Sequence, residues 1–180
     1  MKGLIIAAGY GTRFLPFTKT VPKEMLPLID RPSIDFIVDE FIRSGIEDII
    51  VITSRRKKVL EDYLDREIEL ESIFTREGAD EKLQKIQPPK ANFIFIRQTR
   101  MMGTGHALMT AMPAIGNEPC VVAYPDDLHM GNVPLAKQLI TRYEKTGGSV
   151  MAAMYNPPHL ERYGVLSVDE QTGSVKDIVE

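Results

Sequence analysis

The stretch that most restricts this chain lies near its start. There the apolar run Leu4-Ile5-Ile6-Ala7-Ala8 passes without a spacer into Gly9-Tyr10-Gly11-Thr12-Arg13-Phe14-Leu15-Pro16. Five consecutive apolar residues read as a buried first strand, and a glycine-rich turn on its carboxyl side exposes backbone N–H groups. In α/β folds that edge of a parallel sheet is where anionic ligands bind. Three phosphate-loop patterns compete. A Walker loop requires Gly-Lys-Ser/Thr at its end, which is missing here. A dinucleotide fingerprint requires a small residue where Phe14 stands, and an acidic residue after the second strand, which instead ends at Thr53. What remains is Gly-x-Gly-Thr-Arg followed by a basic segment, in which Arg13, Lys19 and Lys23 can converge on a phosphate chain. On the glycines alone, an ordinary βα turn with solvated basic residues stays open, because short glycine patterns recur by accident.

Pro16, Pro22 and Pro27 punctuate the next segment and predict an extended chain, with Lys19 and Lys23 not on a solvated helical face. Beyond it, short β-rich runs alternate with amphipathic stretches, the pattern of an α/β layer architecture with a largely parallel sheet. Strands are expected at Asp48 to Thr53, Asn92 to Ile96, Pro119 to Tyr124 and Ser149 to Met154. Helices are expected from Pro32 to Gly45, from Lys57 to Leu64 and on with a break to Ile86, from His106 to Ala111, and from Val133 to Lys145. Gly164 to Val168 and Ser174 to Glu180 read as a hairpin. Its last strand meets the chain end with no cap or polar tail, so the chain reads as cut short.

Composition removes several function classes. With 22 Lys+Arg against 25 Asp+Glu and a net charge of −3, there is no broad cationic field to follow a nucleic-acid backbone. One cysteine excludes a disulfide framework and a multi-thiolate zinc site. No apolar run reaches the roughly 18 residues of a membrane span. The opening apolar run is too short for a signal peptide, so a reducing, cytoplasmic setting is expected.

The run from Ala7 to Pro32, AAGYGTRFLPFTKTVPKEMLPLIDRP, resembles the signature of the sugar-1-phosphate nucleotidyltransferases. Four further features resemble the same family in order along the chain: the acidic helical segment from Tyr63 to Ile86, Gln98 with Met102-Gly103-Thr104-Gly105-His106-Ala107, Tyr124-Pro125-Asp126-Asp127, and Tyr163-Gly164-Val165 with Glu180. The acidic segment and the Gly-Thr-Gly-His-Ala loop are similar to the uridylyl branch, and thymidylyl relatives are the runner-up. The resemblance implies a three-layer, Rossmann-like α/β nucleotidyltransferase fold with a mixed, mostly parallel sheet. Residues 1–180 would form the nucleotide-binding part of a single domain whose remaining sugar-binding half follows.

It also implies roles. Backbone at Ala7, Ala8 and Gly9, with Gln98 and Gly103, would hold uracil, and His106 would orient that loop. Gly11, Thr12 and Arg13 would wrap the departing β- and γ-phosphates, Lys23 would contact the reacting phosphates, and Gly164 and Glu180 would hold sugar hydroxyls. Asp126 would ligate Mg²⁺, with Asp127 as the alternative. The implied reaction is attack of glucose-1-phosphate on the α-phosphorus of UTP. A nucleotide-binding module without activity is the competing reading, and self-association is left open.

Other side chains carry less. Cys120 lies in an apolar strand and reads as a core thiol. His129 and His159 lack partners at metal-ligand spacing. Arg55-Arg56-Lys57-Lys58 reads as a wet basic surface at a helix start.

Overall fold

The computed structural model describes residues 1–179 and divides into two compact units, Met1–Gly148 and Ser149–Glu180. In the first unit, β1 (Lys2–Ile6), β4 (Asp48–Thr53), β5 (Asn92–Arg97) and β6 (Cys120–Ala123) form one sheet in the order β5-β4-β1-β6. Every pairing in it is parallel, with Leu4 opposite Ile50 on one side and Val122 on the other. Parallel neighbours require crossover connections, and helices supply them. These are α1 (Ser33–Arg43), α2 (Lys58–Leu64), α3 (Ile68–Glu77), α4 (Asp80–Lys85) and α5 (Gly103–Ile115), with α6 (Leu135–Thr146) following β6. A short antiparallel pair, β2 (Pro27–Leu28) and β3 (Arg31–Pro32), precedes α1.

Strand side chains alternate between two cores, as the period of two demands. Ile5, Ala7, Ile49 and Val51 face α1 and α2, meeting Ile34, Val38, Phe41, Leu60 and Leu64. Leu4, Ile6, Ala8, Ile50 and Ile52 face α5 at Ala107, Ala111 and Ile115. Helices thus cover both faces of β1 and β4, which explains their near-continuous apolar runs. Gly3 is glycine because a Cβ there would sit 2.6 Å from Cε2 of the fully buried Phe41.

Two expectations are corrected. The proline-rich segment is not extended. It winds through three single-turn 3₁₀ helices, Thr12–Phe14, Phe17–Lys19 and Lys23–Met25. Proline excludes the interior of an α-helix but is tolerated at the start of a turn, and Pro16 and Pro22 stand just before the second and third. Ser149 to Met154 forms no strand. A strand exists through its ladder, and these residues have none among the described residues.

In the second unit, β7 (Val165–Val168) and β8 (Val175–Val179) pair antiparallel, as the hairpin reading expected. Asp169 organises the connecting turn by accepting hydrogen bonds from the backbone N–H groups of Gln171 and Thr172 and an ion pair from Lys176 at 2.8 Å. No helix among the described residues is long and apolar enough to cross a membrane.

Candidate functional site

A parallel sheet gathers the loops after its strands at one edge, and most of the residues singled out in the sequence stand there. The β1 strand ends at Ile6, and the Ala7 N–H donates to the Ile52 carbonyl, keeping the chain on the sheet before the glycine turn. Gly11 has φ +68°, a left-handed value that glycine adopts without strain. Its carbonyl accepts a 2.7 Å hydrogen bond from the buried Thr18 hydroxyl. A Cβ added at Gly11 would lie 3.2 Å from Cβ of Lys23. The glycine turn therefore lies directly against the turn that carries Lys23.

Lys23 Nζ stands 2.7 Å from Oδ2 of Asp126, just beyond β6. Asp127 is the next residue; its side chain is open to solvent yet partly desolvated, and its carboxyl is pushed above the ordinary range first by that partial desolvation and then by the charge of Asp126. Lys23 and Arg13 both oppose that rise, so Arg13 lies within electrostatic reach of Asp127. Lys23 and Asp126 are in contact, and Asp127 feels the charges of both Arg13 and Lys23, although 103 positions separate Asp126 from Lys23 in the chain. Lys19 takes a different course: its carbonyl accepts a hydrogen bond from Arg56, and its ammonium has no acidic partner among the described residues.

Beneath Lys23 lies a second pair that sequence reading missed. Glu24 is fully buried, and its Oε1 is 2.6 Å from Nζ of Lys57, which is 4% exposed. Lys57 therefore departs from the wet basic run expected there, whereas its neighbours Arg55, Arg56 and Lys58 are exposed as anticipated. A signal was present: Lys57, Leu60 and Leu64 are spaced as one helical face, and all three are buried. Burial pulls the Lys57 ammonium below its usual range, with the Glu24 charge opposing.

At the end of β5 the buried Gln98 extends a hydrogen bond to the Thr53 carbonyl through its N–H, at 2.8 Å. Its Nε2 donates to the Gly103 carbonyl at 3.2 Å and lies 2.9 Å from Nδ1 of His106. Since the amide nitrogen can only donate, this contact fits a neutral imidazole accepting at Nδ1 and carrying its proton on Nε2. Gly103 opens α5 with φ +83°, so the loop turns into the helix at a position that favours glycine. Gln98, Gly103 and His106 are thus brought into one hydrogen-bonded group. Gly164 lies in the second unit just before β7, and Glu180 lies outside the described residues. Cys120 is half-buried beside the α5 core, where burial pushes its thiol up and away from the reactive thiolate form.

The family described as nucleotidyl transferase matches residues 2–180. A relative named UTP–glucose-1-phosphate uridylyltransferase, from Staphylococcus haemolyticus, is 45% identical over 99% of this chain and 64% of its own length. A solved UTP-bound UGPase from Acinetobacter baumannii has a TM-score of 0.85 and 33% identity, covering 99% of this chain and 67% of that one. A UDP-glucose pyrophosphorylase complexed with UDP-glucose has a TM-score of 0.82 and 38% identity, covering 99% of this chain and 68% of that one. The chain spans less than two thirds of the length of the curated relatives it matches.

Proposed function

This chain belongs to the nucleotidyl transferase family, and we propose that it forms the nucleotide-binding portion, within one nucleotidyltransferase domain, of an enzyme that transfers uridylyl from UTP to glucose-1-phosphate and releases pyrophosphate. The observation that carries this reading is the cationic pair Arg13 and Lys23 set against Asp126 and Asp127 at the carboxyl edge of a parallel sheet. The names of the relatives favour uridylyl over thymidylyl transfer.

The nucleophile is already an anion at neutral pH, so the chain has no need to supply a general base. Its task is to bring two polyanions together and to stabilise the charge that builds in the transition state. Gly11, Thr12 and Arg13 would wrap the leaving β- and γ-phosphates, with Lys23 exchanging Asp126 for the reacting phosphate. Ala7, Ala8 and Gly9 with Gln98, Gly103 and His106 would hold the uracil. Gly164 and Glu180 remain the proposed sugar contacts.

The donor set fits magnesium. That ion takes one or two protein carboxylates and completes its shell with substrate phosphates and water, and Asp126 and Asp127 offer two exposed side chains at the strand end. Among the described residues, no three His, Cys, Asp or Glu side chains stand together as an all-protein cage. Asp126 would hold the ion, with Asp127 as the alternative, and when bound it supplies positive charge against the phosphates. The proposal includes a cytoplasmic setting, shared with the phosphorylated substrates.

The test is pyrophosphate release by the full-length protein from glucose-1-phosphate with UTP or with dTTP. The reading expects turnover with a preference for UTP. Uracil and thymine differ by one methyl group, discriminated by only about 1–3 kcal/mol, and dTTP also lacks the 2′-hydroxyl, so a preference for dTTP overturns the choice of nucleotide, and no release with either overturns the enzyme reading.

A further inference from the structure

We propose that Lys57 is a positioning residue for Lys23: paired with Glu24 beneath the site, it locks the turn carrying Lys23 and neutralises the carboxylate next to it. This rests on the role given to Lys23 above.

The turn Lys23–Met25 is 3₁₀, with about three residues per turn, so consecutive side chains point roughly a third of a turn apart. Glu24 points inward and is fully buried, while Lys23 points toward Asp126. Fixing Glu24 therefore fixes the backbone from which Lys23 projects. Two further contacts complete the anchorage. Ser33, at the start of α1, donates from its hydroxyl to the Glu24 carbonyl at 3.1 Å and from its N–H to the Leu26 carbonyl at 3.1 Å. The Lys57 backbone is itself tied to the end of β4, its N–H donating to the Ser54 carbonyl at 3.0 Å. Lys57 thus connects the end of a central strand to the turn.

Stability does not explain the pair. Removing two charges from water is costly, and apolar replacements of buried ion pairs are often neutral or stabilising. The cost is visible here, since Oε2 of Glu24 is buried without a hydrogen-bond partner. The charges act through their order, which alternates as Lys57, Glu24, Lys23 and Asp126. Lys57 and Lys23 feel one another, and Lys57 also feels Asp126. Without Lys57, an uncompensated Glu24 would compete for the Lys23 ammonium that the phosphates require, and without either charge the turn that carries Lys23 would lose its tie to the end of β4.

The experiment compares the full-length wild type with Lys57→Met and with the double variant Glu24→Gln/Lys57→Met, measuring thermal midpoint, kcat, KM for UTP, and acetylation of Lys23 by peptide mass spectrometry. Lys57→Met leaves a buried unpaired carboxylate and should unfold at lower temperature. The double variant removes both charges and should recover the midpoint. Its kcat should stay about tenfold low with KM for UTP little changed, as expected for a misplaced catalytic group. Its Lys23 should also be acetylated severalfold faster than in the wild type. Recovery of kcat together with the midpoint, or unchanged Lys23 acetylation, overturns the proposal. If the wild type releases no pyrophosphate, the enzyme reading fails on its own, and the acetylation rates still decide whether Lys57 positions Lys23.

Discussion

Lys23 and Asp126 meet at 2.7 Å although they come from opposite ends of the first unit, one from the turn ahead of α1 and the other from the loop after β6. With Lys23 only 18% and Asp126 42% exposed, the pair is screened by solvent on its Asp126 side alone, and it contributes on the order of 1 kcal/mol or less to stability. Its interest is chemical: a cation and an anion that each have a second partner once a phosphate and a divalent ion are present. Neither needs to be built on binding, because each already points into the site.

Lys23→Ala in the full-length protein should lower kcat by a factor on the order of 10²–10³, the usual loss for one fixed charge-stabilising donor. Thermal denaturation should change little, because the pair is screened on its solvent-facing Asp126 side. Turnover close to wild type would remove Lys23 from the reaction.

Asp126→Asn should weaken Mg²⁺-dependent binding of UTP, read by titrating the ion at fixed nucleotide, while Asp127→Asn should have the smaller effect. A reversal of that order makes Asp127 the ligand.

Asp127 also gives a pH prediction. Its folded carboxyl lies above the ordinary 3.8, first through partial desolvation and second through Asp126. At pH below 3.8 both folded and unfolded chains keep the proton, and Asp127 has no effect on stability. As pH rises through that value toward the raised folded one, the unfolded chain ionises first, so the folded state loses stability. Asp127→Asn should therefore raise the melting temperature at neutral pH, and the gain should vanish in acid. A variant that melts below wild type at neutral pH contradicts this assignment.

Gln98→Ala should weaken UTP binding by about tenfold, since truncation leaves the Gly103 carbonyl and His106 Nδ1 without the amide that joins them. Isothermal titration would read it, and an unchanged affinity would separate this group from base recognition.

Gly3→Ala tests the core rather than the site. The added methyl meets the Phe41 ring, and overpacking of this kind costs about 1–3 kcal/mol. Urea denaturation should show a lower midpoint, and an unchanged one would mean the ring moves freely.

The strands β1 and β4 were legible because burial on both faces leaves an apolar residue at nearly every position. The α1 stripe was legible because Ile34, Ile37, Val38 and Phe41 repeat at helical spacing and all reach the core. Lys23 was legible in the basic segment after the glycine turn, whereas Asp126 was legible only through resemblance, since no local pattern links residues so far apart in the chain. Glu24 and Lys57 were missed because charged residues are expected outside unless paired, and the pairing spans 33 positions. The 3₁₀ turns were missed because proline was read as a bar to any helix, although it bars the interior alone. Ser149 to Met154 has strand-forming residues, yet the ladder that would make it a strand is a tertiary matter.

The most direct measurement is a crystal structure of the full-length protein with UTP and Mg²⁺. The triphosphate is expected over the Gly9–Arg13 turn, with Arg13 and Lys23 within hydrogen-bond distance of phosphate oxygens, Lys23 released from Asp126, and uracil beside Gln98. Nucleotide bound elsewhere, or bound here with Arg13 and Lys23 facing bulk water, would contradict this placement.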